Sequence, residues 1–245
     1  MQIRHMPKVD GRYWSAIAMA SLFGTNLGDL YAHDSGLGLI GGVPVLVALA
    51  AVVFAVERLD RAPRQGWYWL MIVIIRTGAT NIADYGKHQM PYAVFGAILT
   101  VLLVGFATLS LRPRDRAESV AEESRGMPKT GAAYWAAMLS AGIFGTFFGD
   151  VAQHVIGQGM ASLVLLAALL VMLAIWRAQG ANRLWLYWLT VAMARTAGTA
   201  MGDFLAENET LAIGLPVATL ITGTAFTLIV LLWPRRNRDV PATAT

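Results

Sequence analysis

Eight predominantly apolar stretches of about 19 to 24 residues follow one another along the chain, near 13–33, 36–56, 66–86, 91–111, 132–154, 158–177, 184–205 and 210–233. As helices, each is long enough to cross a bilayer core about 30 Å thick. Within the third stretch, Arg76, Thr80, Asp84 and His88 recur every four residues and climb one slowly drifting stripe of a helix. Arginine and aspartate inside a membrane span are costly, so the stripe points to function.

The same stripe recurs four times. Tyr13-Trp14, Tyr68-Trp69, Tyr134-Trp135 and Tyr187-Trp188 each open an odd-numbered stretch, and fifteen residues after each tryptophan stands Asp29, Asp84, Asp150 or Asp203. Thr25, Thr80, Thr146 and Thr199 precede those aspartates by four residues. His33, His88, His154 and, in the last copy, Glu207 follow them by four. Arg76-Thr77 and Arg195-Thr196 mark the second and fourth copies. Fixed-period self-similarity is the signature of a repeated structural unit, here one of two helices.

These elements predict an all-α polytopic membrane protein, with eight transmembrane helices arranged as four parallel two-helix repeats in two pseudo-symmetric halves. The first half is 1–112 (repeats 13–57 and 67–111) and the second is 131–234 (repeats 134–178 and 187–233). A polar cytoplasmic linker at 113–130 joins them, and a disordered tail follows at 235–245. Short outer loops suit tight antiparallel helix pairs. Because each unit crosses twice, equivalent residues lie at similar depth.

Charge adds the orientation. The chain has 19 Lys and Arg against 15 Asp and Glu, but the excess follows the loops and is no sign of nucleic acid. Sixteen of the basic residues fall on one side, including Arg4, Lys8, Arg12, Arg58, Arg112, Arg177 and Arg235, and the opposite loops hold only Lys87. Both termini are therefore expected on the cytoplasmic side of the membrane. The N-terminus lacks a cleavable signal pattern and reads as an uncleaved anchor. With no cysteine, disulfides, thiolate metal sites and cysteine nucleophiles are excluded. No zincin motif, phosphate loop or nucleophile elbow occurs, so no enzymatic activity is expected.

On its four Tyr-Trp starts and four Thr-x-x-x-Asp elements, the chain resembles a bacterial integral membrane family built from tandem repeats of unknown function. Each repeat of that family has two transmembrane segments and a characteristic tryptophan. The resemblance runs from Tyr13 to Trp233 and implies the repeat number and topology; it brings no activity with it.

The plain reading of the tryptophans is interfacial anchoring at headgroup depth. The pairs Gly24/Gly28, Gly145/Gly149, Gly198/Gly202 and Ala79/Ala83 read as small-x-x-x-small contacts between close-packed helices. The threonines can return a hydrogen bond to the carbonyl four residues back. The aspartates are harder to explain as structure, since an ionised carboxylate at a helix centre costs about 2.5–3.5 kcal/mol on insertion scales. Against four aspartates and Glu207 stand two intramembrane arginines, eight residues or about 12 Å from the aspartates of their own helices. Asp/His at i, i+4 offers two ligand atoms on one face, and carboxylate with imidazole suits Mn, Fe, Zn or Ni. Haem held by facing histidines is the weaker alternative.

The expectation is thus a transporter or permease for a small cation or other small solute, with a divalent transition metal as cargo or ligand the first guess. Asp29, Asp84, Asp150, Asp203, Thr25, Thr80, Thr146, Thr199, Arg76 and Arg195 would line its path. Asp29, His33, Asp84, His88, Asp150, His154, Asp203 and Glu207 are the candidate metal ligands. The alternative is a scaffold or sensor whose stripes bind helix to helix. Oligomeric state stays open.

Overall fold

The computed structural model describes residues 7–60, 64–112, 128–179 and 184–232. Most of the expected linker and the whole expected tail lie outside these residues. Nine helical elements and no strand occur among them: α1 (Gly11–Asp34), the single turn α2 (Gly38–Gly41), α3 (Val43–Leu59), α4 (Gly66–Gln89), α5 (Tyr92–Ser110), α6 (Ala132–Ile156), α7 (Gln158–Gln179), α8 (Leu184–Glu207) and α9 (Leu215–Leu231). Local chemistry sets their ends. Asp10 caps α1, its carboxylate accepting from the amides of Arg12 at 2.9 Å and Tyr13 at 3.0 Å. Pro44 and Pro216 sit in the first turns of α3 and α9, where a missing N–H costs nothing. α4 stops at Gln89 because Met90, ahead of Pro91, is extended. Between α6 and α7 the chain turns at Gly157, whose φ of 82° suits glycine alone.

α1, α4, α6 and α8 stand in a closed central ring, each packing on two of the others in the order α1, α4, α6, α8 and back to α1. The remaining helices pack outside it. α3 lies on α4, α5 on α6, α7 chiefly on α8, and α9 chiefly on α1. The second helix of each hairpin therefore leans mainly on the first helix of the next hairpin, and the last closes onto the first. This corrects the expected tight pairing within hairpins: α4 and α5 barely touch. A hairpin alone cannot enclose its own polar stripe, so units must interlock to bury it.

The outer helices turn Val47, Val52, Val101, Leu163, Leu170 and Leu220 outward, each more than half exposed. Residues 38–59, α5, α6 and α7 are long and apolar enough to cross a membrane, and α9 is apolar but shorter, at 17 residues. Eight such spans were expected. α1, α4 and α8 have the length, at 24 residues each, but their polar positions dilute the apolar character. Those positions face the ring interior, so low average hydropathy and a lipid-compatible exterior coexist. The chain is a helical membrane protein with internal repeats.

Close approach within the ring depends on the small residues. A Cβ on Gly24 would run into the stem of Arg76, and one on Gly145 into the stem of Arg195. One on Gly28 would lie 2.8 Å from the Cβ of Thr80, and one on Gly149 2.9 Å from the Cβ of Thr199. The small-residue stripes are thus contact faces, as their spacing suggests. The tryptophans are a correction. Trp14, Trp69, Trp135 and Trp188 are only 2–7% exposed and pack between the ring and the outer helices, against Trp176, Phe226, Phe54 and Ser110 respectively. Each stands edge-on to its own tyrosine and also meets the tyrosine of the neighbouring helix, with Trp69 at 5.6 Å from Tyr13 and Trp135 at 5.8 Å from Tyr68. Such aromatic pairs contribute about 0.5–1.5 kcal/mol beyond area burial, so helix-to-helix packing holds these rings inside.

Candidate functional site

Four polar layers stack along the axis of the ring. At the N-terminal ends of its helices the hydroxyls of Tyr13, Tyr68, Tyr134 and Tyr187 form a closed circle. Tyr13 meets Tyr68 at 2.8 Å and Tyr187 at 2.6 Å, and Tyr134 meets Tyr68 and Tyr187 at 2.7 Å each. A four-membered circle lets every hydroxyl donate once and accept once, which makes a wholly buried polar layer tolerable.

Next come two guanidiniums, both fully buried. Arg76 and Arg195 start from matching registers of opposite helices but reach in opposite directions. Arg195 bends toward the tyrosines, donating to Ser21 Oγ and to the thioether sulfur of Met138, each at 3.2 Å. Arg76 reaches away from them into a circle of four threonines. Its Nη1 donates to Thr80 and Thr146 at 2.8 Å, and its Nη2 to Thr25 at 2.5 Å and Thr199 at 2.6 Å. One arginine thereby ties all four central helices together. Among the described residues no carboxylate lies within ion-pair distance of either guanidinium. Hydroxyl dipoles take the place of a counter-ion, a weaker compensation than a carboxylate. Thr25, Thr80 and Thr199 also donate to the carbonyls four residues back, at 2.9, 3.4 and 3.2 Å, which aims their lone pairs at Arg76. The expected back-bonding is thus present at Thr25, Thr80 and Thr199, and it coexists with acceptance from Arg76.

Beyond the threonines the ring opens into a cavity of about 710 Å³. Thr25, Thr80, Thr146 and Thr199 form its floor, with Asp29, Asp84, Asp150 and Asp203 on its walls. His33, His88, His154 and Glu207 stand toward the helix C-terminal ends. Every acidic, threonine and histidine position singled out from the sequence therefore faces one shared space, while Arg76 lies beneath the floor and Arg195 deeper still. The metal set does not close up. Among the described residues no three His, Asp or Glu side chains are grouped to hold an ion. The histidines are one helical turn beyond the aspartates, so they ring the mouth of the cavity and leave the walls to the carboxylates.

Two further residues enter the site, neither of them singled out from the sequence. Lys87, assigned there to an outer loop, belongs to the last turn of α4, and its Nζ bridges Asp84 at 2.8 Å and Asp150 of the next helix at 2.7 Å. Gln153 of α6 donates from Nε2 to Asp203 of α8 at 2.6 Å. Both stand three residues after their own aspartate, and both reach the aspartate of the following helix. The other two copies have Ala32 and Ala206 at that position. The i+3 column of the repeat was the signal, hidden because only two copies keep it polar. Asp29 has no hydrogen-bond or ion-pair partner among the described residues.

Two stretches of the chain, residues 12–61 and 186–239, match the model of a family described as Repeat of Unknown Function (DUF347). They cover the first hairpin and the last, whose helices α1 and α8 meet in the ring. The two middle hairpins, which the resemblance read from the sequence also spans, lie outside the match. No curated protein and no solved structure matches the chain. Over its first and fourth hairpins the chain is similar to a repeat family that comes with no known activity.

Proposed function

We propose that the protein carries a small cation across a bacterial inner membrane. All four hairpins span the bilayer, the two halves are related by pseudo-symmetry, and both termini lie in the cytoplasm. The acidic cavity then opens on the side away from the basic loops. The observation that carries this reading is the convergence of four aspartates from four helices on one cavity of about 710 Å³. Structural glue alone would not call for so much open polar space, because a wall carboxylate costs stability unless it is solvated or matched by a positive charge.

Below the cavity, Arg76, Arg195 and the tyrosine circle fill the axis. A static pore for cations would not pass two buried guanidiniums, so the reading is an alternating carrier, held here with the tyrosine end closed. A resident transition metal loses favour, for want of three grouped ligands among the described residues. No chemical conversion of the cargo belongs to this reading.

The scaffold reading rests on one specific observation, the four bonds from Arg76 to four separate helices. Flux separates the two readings. Purified protein in liposomes should move a cation, and D84N together with D203N should remove flux while elution volume and melting temperature stay near those of the unaltered protein. Unchanged flux in the double variant would end the carrier proposal.

A further inference from the structure

Resting on the reading of the cavity as a cation site, we infer that its ligand is a small organic solute bearing a primary ammonium group, held between Asp29 and Asp203.

The protein displays the required geometry once already. On the α4/α6 side, the ammonium of Lys87 sits between two wall carboxylates, at 2.8 Å from Asp84 and 2.7 Å from Asp150. A primary ammonium has three N–H donors and a compact charge, which suits two carboxylates approached from adjacent helices. On the opposite side, α8 packs on α1, and by repeat register Asp203 corresponds to Asp84 and Asp29 to Asp150, both lining the same cavity. The bridging position, three residues after Asp203, is Ala206, a methyl group that reaches neither carboxylate. Among the described residues Asp203 receives only the Gln153 amide, and Asp29, half-buried on the cavity wall, has no hydrogen-bond or ion-pair partner. Asp203 is 9% exposed, so its charge is poorly served by solvent. Glu207 stands one turn further toward the mouth, where it adds negative potential over the same wall.

A monatomic metal ion fits this half less well. Its carboxylates lack a third grouped ligand among the described residues, whereas an ammonium needs only acceptors. The cavity, at about 710 Å³, also has room for the carbon frame of a small amine, and the threonine circle offers hydroxyls to a second polar end. Lys87 is thus a tethered occupant of one ammonium position, and a soluble amine completes the other.

Binding is measured on the purified full-length protein in detergent, by calorimetry and thermal shift. The probes are propylamine and putrescine, with tetramethylammonium, which has no N–H donor, and Mg²⁺ and Zn²⁺ as comparisons. The primary amines should bind at one site per chain and raise the melting temperature, and tetramethylammonium should do neither. D29N should weaken amine binding about tenfold or more, as expected for truncating one partner of a buried charge pair. A206K, which supplies the tethered ammonium, should abolish amine binding in a protein at least as thermostable as the original. K87A should raise the stoichiometry from one to two.

Amine binding that survives both D29N and A206K, or a response to divalent metal alone, would overturn the inference. The two proposals fail separately. Amine binding without flux in liposomes would end the carrier reading and leave the ammonium site standing. Cation flux with no amine binding would do the reverse.

Discussion

At the scale of single residues, the axis is governed by how a buried charge finds acceptors. Arg76 has no carboxylate partner among the described residues and depends on four threonine hydroxyls, the shortest of its bonds going to Thr25 and Thr199. Thr199→Val keeps the shape and deletes one acceptor of a charge-assisted bond. It should cost about 1–2 kcal/mol in equilibrium unfolding in mixed micelles. Thr219→Val is the control. Its hydroxyl bonds only the Leu215 carbonyl of its own helix, and the change should stay within about 0.5 kcal/mol. Equal effects at the two positions would mean that the threonine circle contributes nothing to holding the arginine. The role of Arg76 could not be read from spacing, because its partners come from four helices that only the assembled ring brings together.

At the scale of helices, the spacing of small residues was informative in full and the apolar average was misleading. Gly28 and Gly149 permit α1 to approach α4 and α6 to approach α8, since a Cβ there would crowd Thr80 and Thr199. Gly28→Ala or Gly149→Ala should therefore cost about 1–3 kcal/mol and lower the melting temperature in detergent. Gly105→Ala in α5, where nothing lies within 4 Å, should cause no loss. The four polar stripes were legible because a four-residue interval is a property of one helix. What the sequence concealed was partner choice. Aspartate and histidine four residues apart suggest a shared ligand, yet one turn of rise separates wall from mouth, and among the described residues no third ligand joins them. Tryptophan at a helix start reads as an interfacial anchor from composition alone, but the tyrosine of the adjacent helix draws it inside.

At the scale of the whole molecule, two helices from each half complete one ring. α1 of the first half packs on α8 of the second, and α4 on α6. The cavity needs carboxylates from both halves, and Lys87 of the first neutralises Asp150 of the second. Residues 1–112 and 131–245, expressed as separate chains in one cell, should copurify and regain amine binding. Each expressed alone should be degraded or aggregate, because its polar stripes would face lipid. A monodisperse, folded single half would contradict the interlocked ring.

Four two-helix units, their helical stripes and the acidic character of one end follow from the order of residues, because periodicity and side-chain chemistry are local and survive without neighbours. Which stripe faces which, and the closing of each hairpin onto the next, depend on shape fit between helices far apart in the chain. The unequal treatment of the four aspartates has the same origin. Lysine reaches across to one, glutamine to another, and alanine leaves Asp29 without a bridge, a difference that acquires meaning only when the helices stand side by side around a common axis.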